Sequence, residues 1–142
     1  MTIDELKLTK AGRALPAALL EVAKPRVRAI VHWREVDEEA SAKCLCCYQW
    51  VWVHRVAVVT PEGGIVLGGA RCSPRDQYVK ATGFRPAAER ALRETVRGGA
   101  RAAPGFVDAT LTGAKLRRTV KELVMQLDEA ALERAEEGRK HV

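Results

Sequence analysis

The stretch from residue 50 to residue 72 constrains the chain most. Trp50 to Thr60 is rich in Val and Trp and apolar on both faces, as a central strand requires. Pro61-Glu62-Gly63-Gly64 is a strong turn signal, and Ile65 to Cys72 returns as a second strand, so the pair reads as a hairpin. A further strand precedes it. From Arg26 the hydrophobic period changes to two, with Val27, Ala29, Val31 and Trp33 alternating with Arg28, Ile30, His32 and Arg34. That pattern predicts one buried face and one basic or aromatic face. Asp37 to Lys43 is polar and reads as a loop.

Helices are expected on either side of this β region. Thr2 and Glu5 can form a capping box, and Ile3, Leu6, Leu15, Leu19 and Val22 form an apolar series interrupted by Gly12 and Pro16. Two short helical pieces result, the second stopped by Pro25. After the hairpin, Ser73 suits an N-cap, Pro74 the first helical position, and Asp76 completes an S-x-x-D box. This predicts a helix from Pro74 to Thr82, with Gly83 as C-cap or hinge and Pro86 opening another helix to about Gly98. The last helix runs from about Gly113 to Glu137, with Leu116, Val120, Leu123, Val124, Leu127, Ala131 and Ala135 on one face. Its charges oppose the helix dipole: Lys115, Arg117, Arg118 and Lys121 come early, and Glu129, Glu133, Glu136 and Glu137 late. A basic patch shared with the preceding arginines is one explanation, and chance is another. The expected fold is a single α+β domain over residues 1–142, with an antiparallel sheet of about three strands and N-terminal, post-hairpin and C-terminal helices.

The formal net charge is +6, and the excess is local. Between Arg71 and Arg101 there are eight Arg or Lys against three acids, Asp76, Glu89 and Glu94. Arg90, Arg93, Arg97 and Arg101 recur at helical spacing and share one side, while Arg71, Arg75 and Lys80 surround the predicted helix start, where free N–H groups suit a phosphate-sized anion. Equally, the stripe can be a solvated face and the helix start purely structural. Taken as a site, these seven residues suit nucleic acid, DNA or RNA, or an acidic protein partner such as a host machine acting on nucleic acid. Trp50, Trp52 and His54 on one side of the central strand, with Trp33 on a neighbour, either stack bases or belong to the core; available helices favour the core.

Other chemistry finds little support. There is no Walker loop, no dinucleotide fingerprint and no H-E-x-x-H, and neither His32 nor His54 lies in a nucleophile motif, so an enzyme is not expected. Cys44 and Cys47 have C-x-x-C spacing, and Cys72 with His54 or His32 could complete a zinc tetrahedron. A second metal pair is absent from the sequence, so no metal and no cofactor are expected. The acidic N-terminus lacks signal-peptide character and no apolar run suits a membrane span, so a cytoplasmic location, away from membranes, is expected.

At RCSPRDQYVKATG followed by RPAAERAL, the chain resembles small phage-encoded proteins of uncharacterised function. Their shared element is a hairpin ending in C-x-P-[KR]-D-x-[FY]-x-K-x-x-G and an Ala- and Arg-containing helix. Cys72, Pro74, Arg75, Asp76, Tyr78, Lys80 and Gly83 match it, whereas Phe84 and Pro86 depart from it. The match spans roughly a quarter of the chain and implies a mobile-element origin and the cytoplasm of a host cell, not an activity. The order helix, three strands, helix also looks like the plan of double-stranded-RNA-binding domains, whose last helix begins with basic residues aimed at phosphates. The lysine pair typical of that helix start is replaced by Arg75 and, distantly, Lys80. The combined expectation is a non-enzymatic phage or mobile-element accessory protein that binds nucleic acid through Arg71, Arg75, Lys80, Arg90, Arg93, Arg97 and Arg101. Its alternative is a regulator or inhibitor docking on a host nucleic-acid machine.

Overall fold

Three strands form one antiparallel sheet, β1 (Ala29–Val36), β2 (Trp52–Val59) and β3 (Ile65–Arg71), in the order β1-β2-β3. The computed structural model describes residues 1–37, 51–71, 80–98 and 106–140. Register runs from Ala29 opposite Val59 to Val36 opposite Trp52, and from Val59 opposite Ile65 to Val53 opposite Arg71. The hairpin between β2 and β3 closes as its turn residues predict. Thr60 N–H bonds to Gly64 O at 2.9 Å, Gly64 N–H bonds to Thr60 Oγ1 at 2.9 Å, and Gly63 supplies the positive φ of 86°.

Because side chains alternate along a strand, this register divides the sheet into two faces. Ile30, Val56, Val58, Val66 and Ala70 point to one; Ala29, Val31, Trp33, Ala57, Val59 and Ile65 point to the other, and both sets are buried. Three short helices, α1 (Ile3–Lys7), α2 (Lys10–Arg13) and α3 (Ala17–Ala23), followed by a 3-10 turn at Lys24–Arg26, contribute Ile3, Leu6 and Leu20 to the first face. Three helices form where two were predicted because Thr9 caps a separate start: Gly12 N–H donates to Thr9 Oγ1 at 3.0 Å. The predicted capping box at Thr2 forms, with Glu5 N–H donating to Thr2 Oγ1 and the Thr2 hydroxyl to Glu5 Oε1.

Helix α4 (Lys80–Arg97) completes this first layer through Ala87, Ala88, Ala91 and Leu92. It runs unbroken through Gly83 and Pro86, where the sequence predicts a hinge and a new start. Packing overrides the local signal: Phe84, Ala87 and Ala88 are all buried, which fixes this turn against the sheet although Pro86 lacks a helix N–H. The approach is close. A Cβ on Gly68 would sit 2.3 Å from Ala87 O and 2.5 Å from Ala91 N, so glycine on β3 and alanines on α4 set the distance between helix and sheet.

The second face is covered by α5 (Gly113–Lys140), through Leu116, Val120 and Val124, with Val107 beside them. Burying each of these side chains contributes on the order of 1.5–3 kcal/mol. Two arginines at the entry to β1 tie the layers together. Arg26 Nη1 donates to Val96 O at 2.7 Å near the end of α4, and Arg28 Nη2 donates to Asp108 O, Ala109 O and Leu111 O before α5. The result is an α+β arrangement with helices on both faces of a three-stranded antiparallel sheet. Among the described residues, no helix is long and apolar enough to cross a membrane.

Candidate binding surface

The predicted basic site separates into parts. Arg75 and Arg101 lie outside the described residues, as does the capping box at Ser73, and Lys80 opens α4. The remaining four are held by protein groups. Arg93 bonds to Glu89 at 2.7 and 3.2 Å, Arg97 to Glu94 at 2.9 Å, Arg90 Nη1 donates to Gly69 O, and Arg71 pairs with Asp37 at 2.8 Å. Arg85 also approaches Glu89, at 3.7 Å. The arginine stripe of α4 is therefore largely answered by acids one helical turn away, a surface arrangement of modest strength.

A different set of cations is left without carboxylate partners. Lys115, Arg117, Arg118 and Lys121 on the first turns of α5, and Arg34 on β1, form no ion pair among the described residues. Arg117 and His32 line one pocket between α5 and the outer edge of β1; Arg34, Lys121 and Met125 line a second, farther along the same strand. The sheet separates the α5 cations from the α4 stripe, because α4 and α5 cover its opposite faces, whereas Arg34 lies on the α4 face at the edge of β1. The two helices therefore do not present one merged basic surface. The charge pattern opposing the α5 dipole signalled this site in the sequence; Arg34 could join it only once strand register was fixed.

Arg34 is held by an aromatic. Its guanidinium lies 5.0 Å from the centroid of Trp52, a cation–π contact that keeps the charge beside the strand edge. Trp33 takes the opposite face, is buried, and donates from Nε1 to Glu35 Oε1 at 2.6 Å. Glu35 and Asp128 share Arg55, at 3.6 and 3.1 Å, and Glu129 lines the same pocket, so acids stand beside the cations at this end of β1. Trp50 lies outside the described residues; Trp33 is core, as its neighbours suggest.

On the α4 side, His32 Nε2 and His54 Nδ1 lie 3.0 Å apart. The ring planes differ by 6° and the centroids are 5.3 Å apart. That separation exceeds the nitrogen–nitrogen distance by about two ring radii, so the imidazoles lie end to end in an in-line N–H···N bond and do not stack. Phe84 packs on His32 with centroids 4.3 Å apart. Burial, then the nearby His54, Arg117 and Arg34, lower the His32 pKa to about 4; burial and then Arg34 lower that of His54. One neutral ring donates and the other accepts. The cysteines named for zinc, Cys44, Cys47 and Cys72, lie outside the described residues. No protein-family model, curated protein or solved structure matches the chain.

Proposed function

We propose that the chain is a non-enzymatic binding protein that docks on an acidic protein partner through the cations lining β1 and the start of α5. The observation that carries this reading is the contrast between two sets of cations: Arg90, Arg93 and Arg97 already have partners, whereas Arg34, Lys115, Arg117, Arg118 and Lys121 have no carboxylate among the described residues. Free cations in a cleft concentrate positive potential and attract an acidic ligand. With the mobile-element origin that the phage-protein resemblance implies, the partner fits a host machine acting on nucleic acid, whose activity the docked chain would regulate or inhibit.

Binding to DNA or RNA is the second reading. It draws on the same free cations and on the net charge of +6. Phosphate contacts release counterions, so affinity for nucleic acid should collapse steeply as salt rises. Polyglutamate and single-stranded and duplex nucleic acids, titrated against the protein over a salt series, separate the readings. The first expects polyglutamate binding that Arg117→Glu with Lys121→Glu removes. Nucleic-acid binding without polyglutamate binding would replace it with the second, and binding to none would remove both.

A further inference from the structure

β1 is an outer strand of the sheet, on the side where the free cations gather. In an antiparallel ladder, alternate residues turn both backbone groups toward the neighbouring strand. Asp37 N–H bonds to Val51 O, which places the odd-numbered residues of β1 toward β2, and Ile30 N–H bonds outward to Met1 O at 2.6 Å. The outward series continues through His32, Arg34 and Val36, whose N–H and C=O groups have no backbone partner among the described residues. An open edge of this kind is a template for another strand.

We infer that this edge receives an extended peptide segment rich in Asp and Glu, which joins the sheet as a fourth strand. The inference rests on the acidic-partner reading and adds the conformation in which the partner binds. Backbone bonds to His32, Arg34 and Val36 supply the ladder, and the alternating side chains of the added strand fall on the two faces of the sheet. On one face they meet Arg117 and Lys121, and on the other Arg34. Met125, 58% exposed beside Lys121, offers an apolar contact on the α5 face.

Charge also selects against other occupants. Two copies pairing edge to edge would bring Arg34, Arg117 and Lys121 of one copy toward the same residues of the other, a like-charge arrangement. Nucleic acid can neutralise the cations, but its sugar-phosphate backbone presents no ladder of N–H and C=O groups to the edge. An acidic peptide strand satisfies both features at once.

The test compares two ligands of equal charge on the full chain: a short peptide alternating Val and Glu, and the same peptide N-methylated at every residue. N-methylation removes the ladder donors and blocks close strand approach while every carboxylate stays. Strand addition predicts that the unmethylated peptide binds at least about tenfold tighter, and that the amides of His32, Arg34 and Val36 exchange more slowly when it is bound. Equal binding of both peptides with unchanged exchange at these amides would overturn strand addition and leave the acidic-partner reading standing. Binding of neither peptide, with retained binding of polyglutamate, would also overturn strand addition; loss of polyglutamate binding as well would remove the reading on which it rests.

Discussion

Two residue contacts carry opposite kinds of consequence. Gly68 is required by space: an added methyl meets Ala87 O and Ala91 N, both backbone atoms of α4 that cannot turn aside. Gly68→Ala should therefore destabilise the fold by about 1–3 kcal/mol through overpacking. At Gly69 the nearest atom to a new Cβ is His54 O at 3.6 Å, an ordinary contact, so Gly69→Ala should cost much less. Urea unfolding of the two variants checks this, and equal losses would contradict the close approach of α4 to β3. The His32–His54 bond gives a pH signature. With the folded pKa of His32 lowered from 6.5 to about 4, the unfolded chain takes the proton first as pH falls. The stability contributed by neutral His32 is complete above about pH 6.5 and is lost progressively toward pH 4. An NMR titration should find the ring of His32 still neutral at pH 5; a midpoint near 6.5 in the folded protein would contradict its burial against Phe84.

At the scale of elements, α5 divides into a packed half and a projecting half. Leu116, Val120 and Val124 are buried and Asp128 pairs with Arg55, whereas every residue described from Glu129 to Arg139 is exposed, Leu132 at 65%. Truncation after Asp128 should leave the unfolding free energy within about 0.5 kcal/mol of the full chain, with helical circular dichroism reduced. A large loss of stability would mean that the projecting half contributes to the packed body. The hairpin and α5 were legible in the sequence because their signals are local: Pro61 to Gly64 carry the turn chemistry, and the apolar stripe of α5 repeats at helical spacing. The unbroken course of α4 was not, since what holds Gly83 and Pro86 in one helix is contact with the sheet, remote in sequence. The candidate surface was half legible for the same reason. Lys115 to Lys121 stand out as cations at the wrong end of a helix dipole, but their alignment with Arg34, and the pairing of Arg93 and Arg97 with their own helix, depend on which face each element turns outward.

For the molecule as a whole, the sheet acts as a partition that keeps two basic helices apart. One face holds α4, whose arginines are answered by Glu89, Glu94 and Gly69 O; the other holds α5, whose Arg117 and Lys121 line pockets beside the outer edge of β1, where His32, Arg34 and Val36 have no backbone partner among the described residues. Net charge alone does not distinguish these surfaces, and the proposed partner chemistry depends on the one whose cations have no carboxylate partner among the described residues. The most direct measurement is the affinity of polyglutamate for the wild-type chain, for Arg117→Glu with Lys121→Glu, and for Arg93→Glu with Arg97→Glu, with circular dichroism confirming that each is folded. The α5 reversal should weaken binding by more than about tenfold and the α4 reversal by less than about threefold. The opposite order would place the binding surface on α4 and contradict the account.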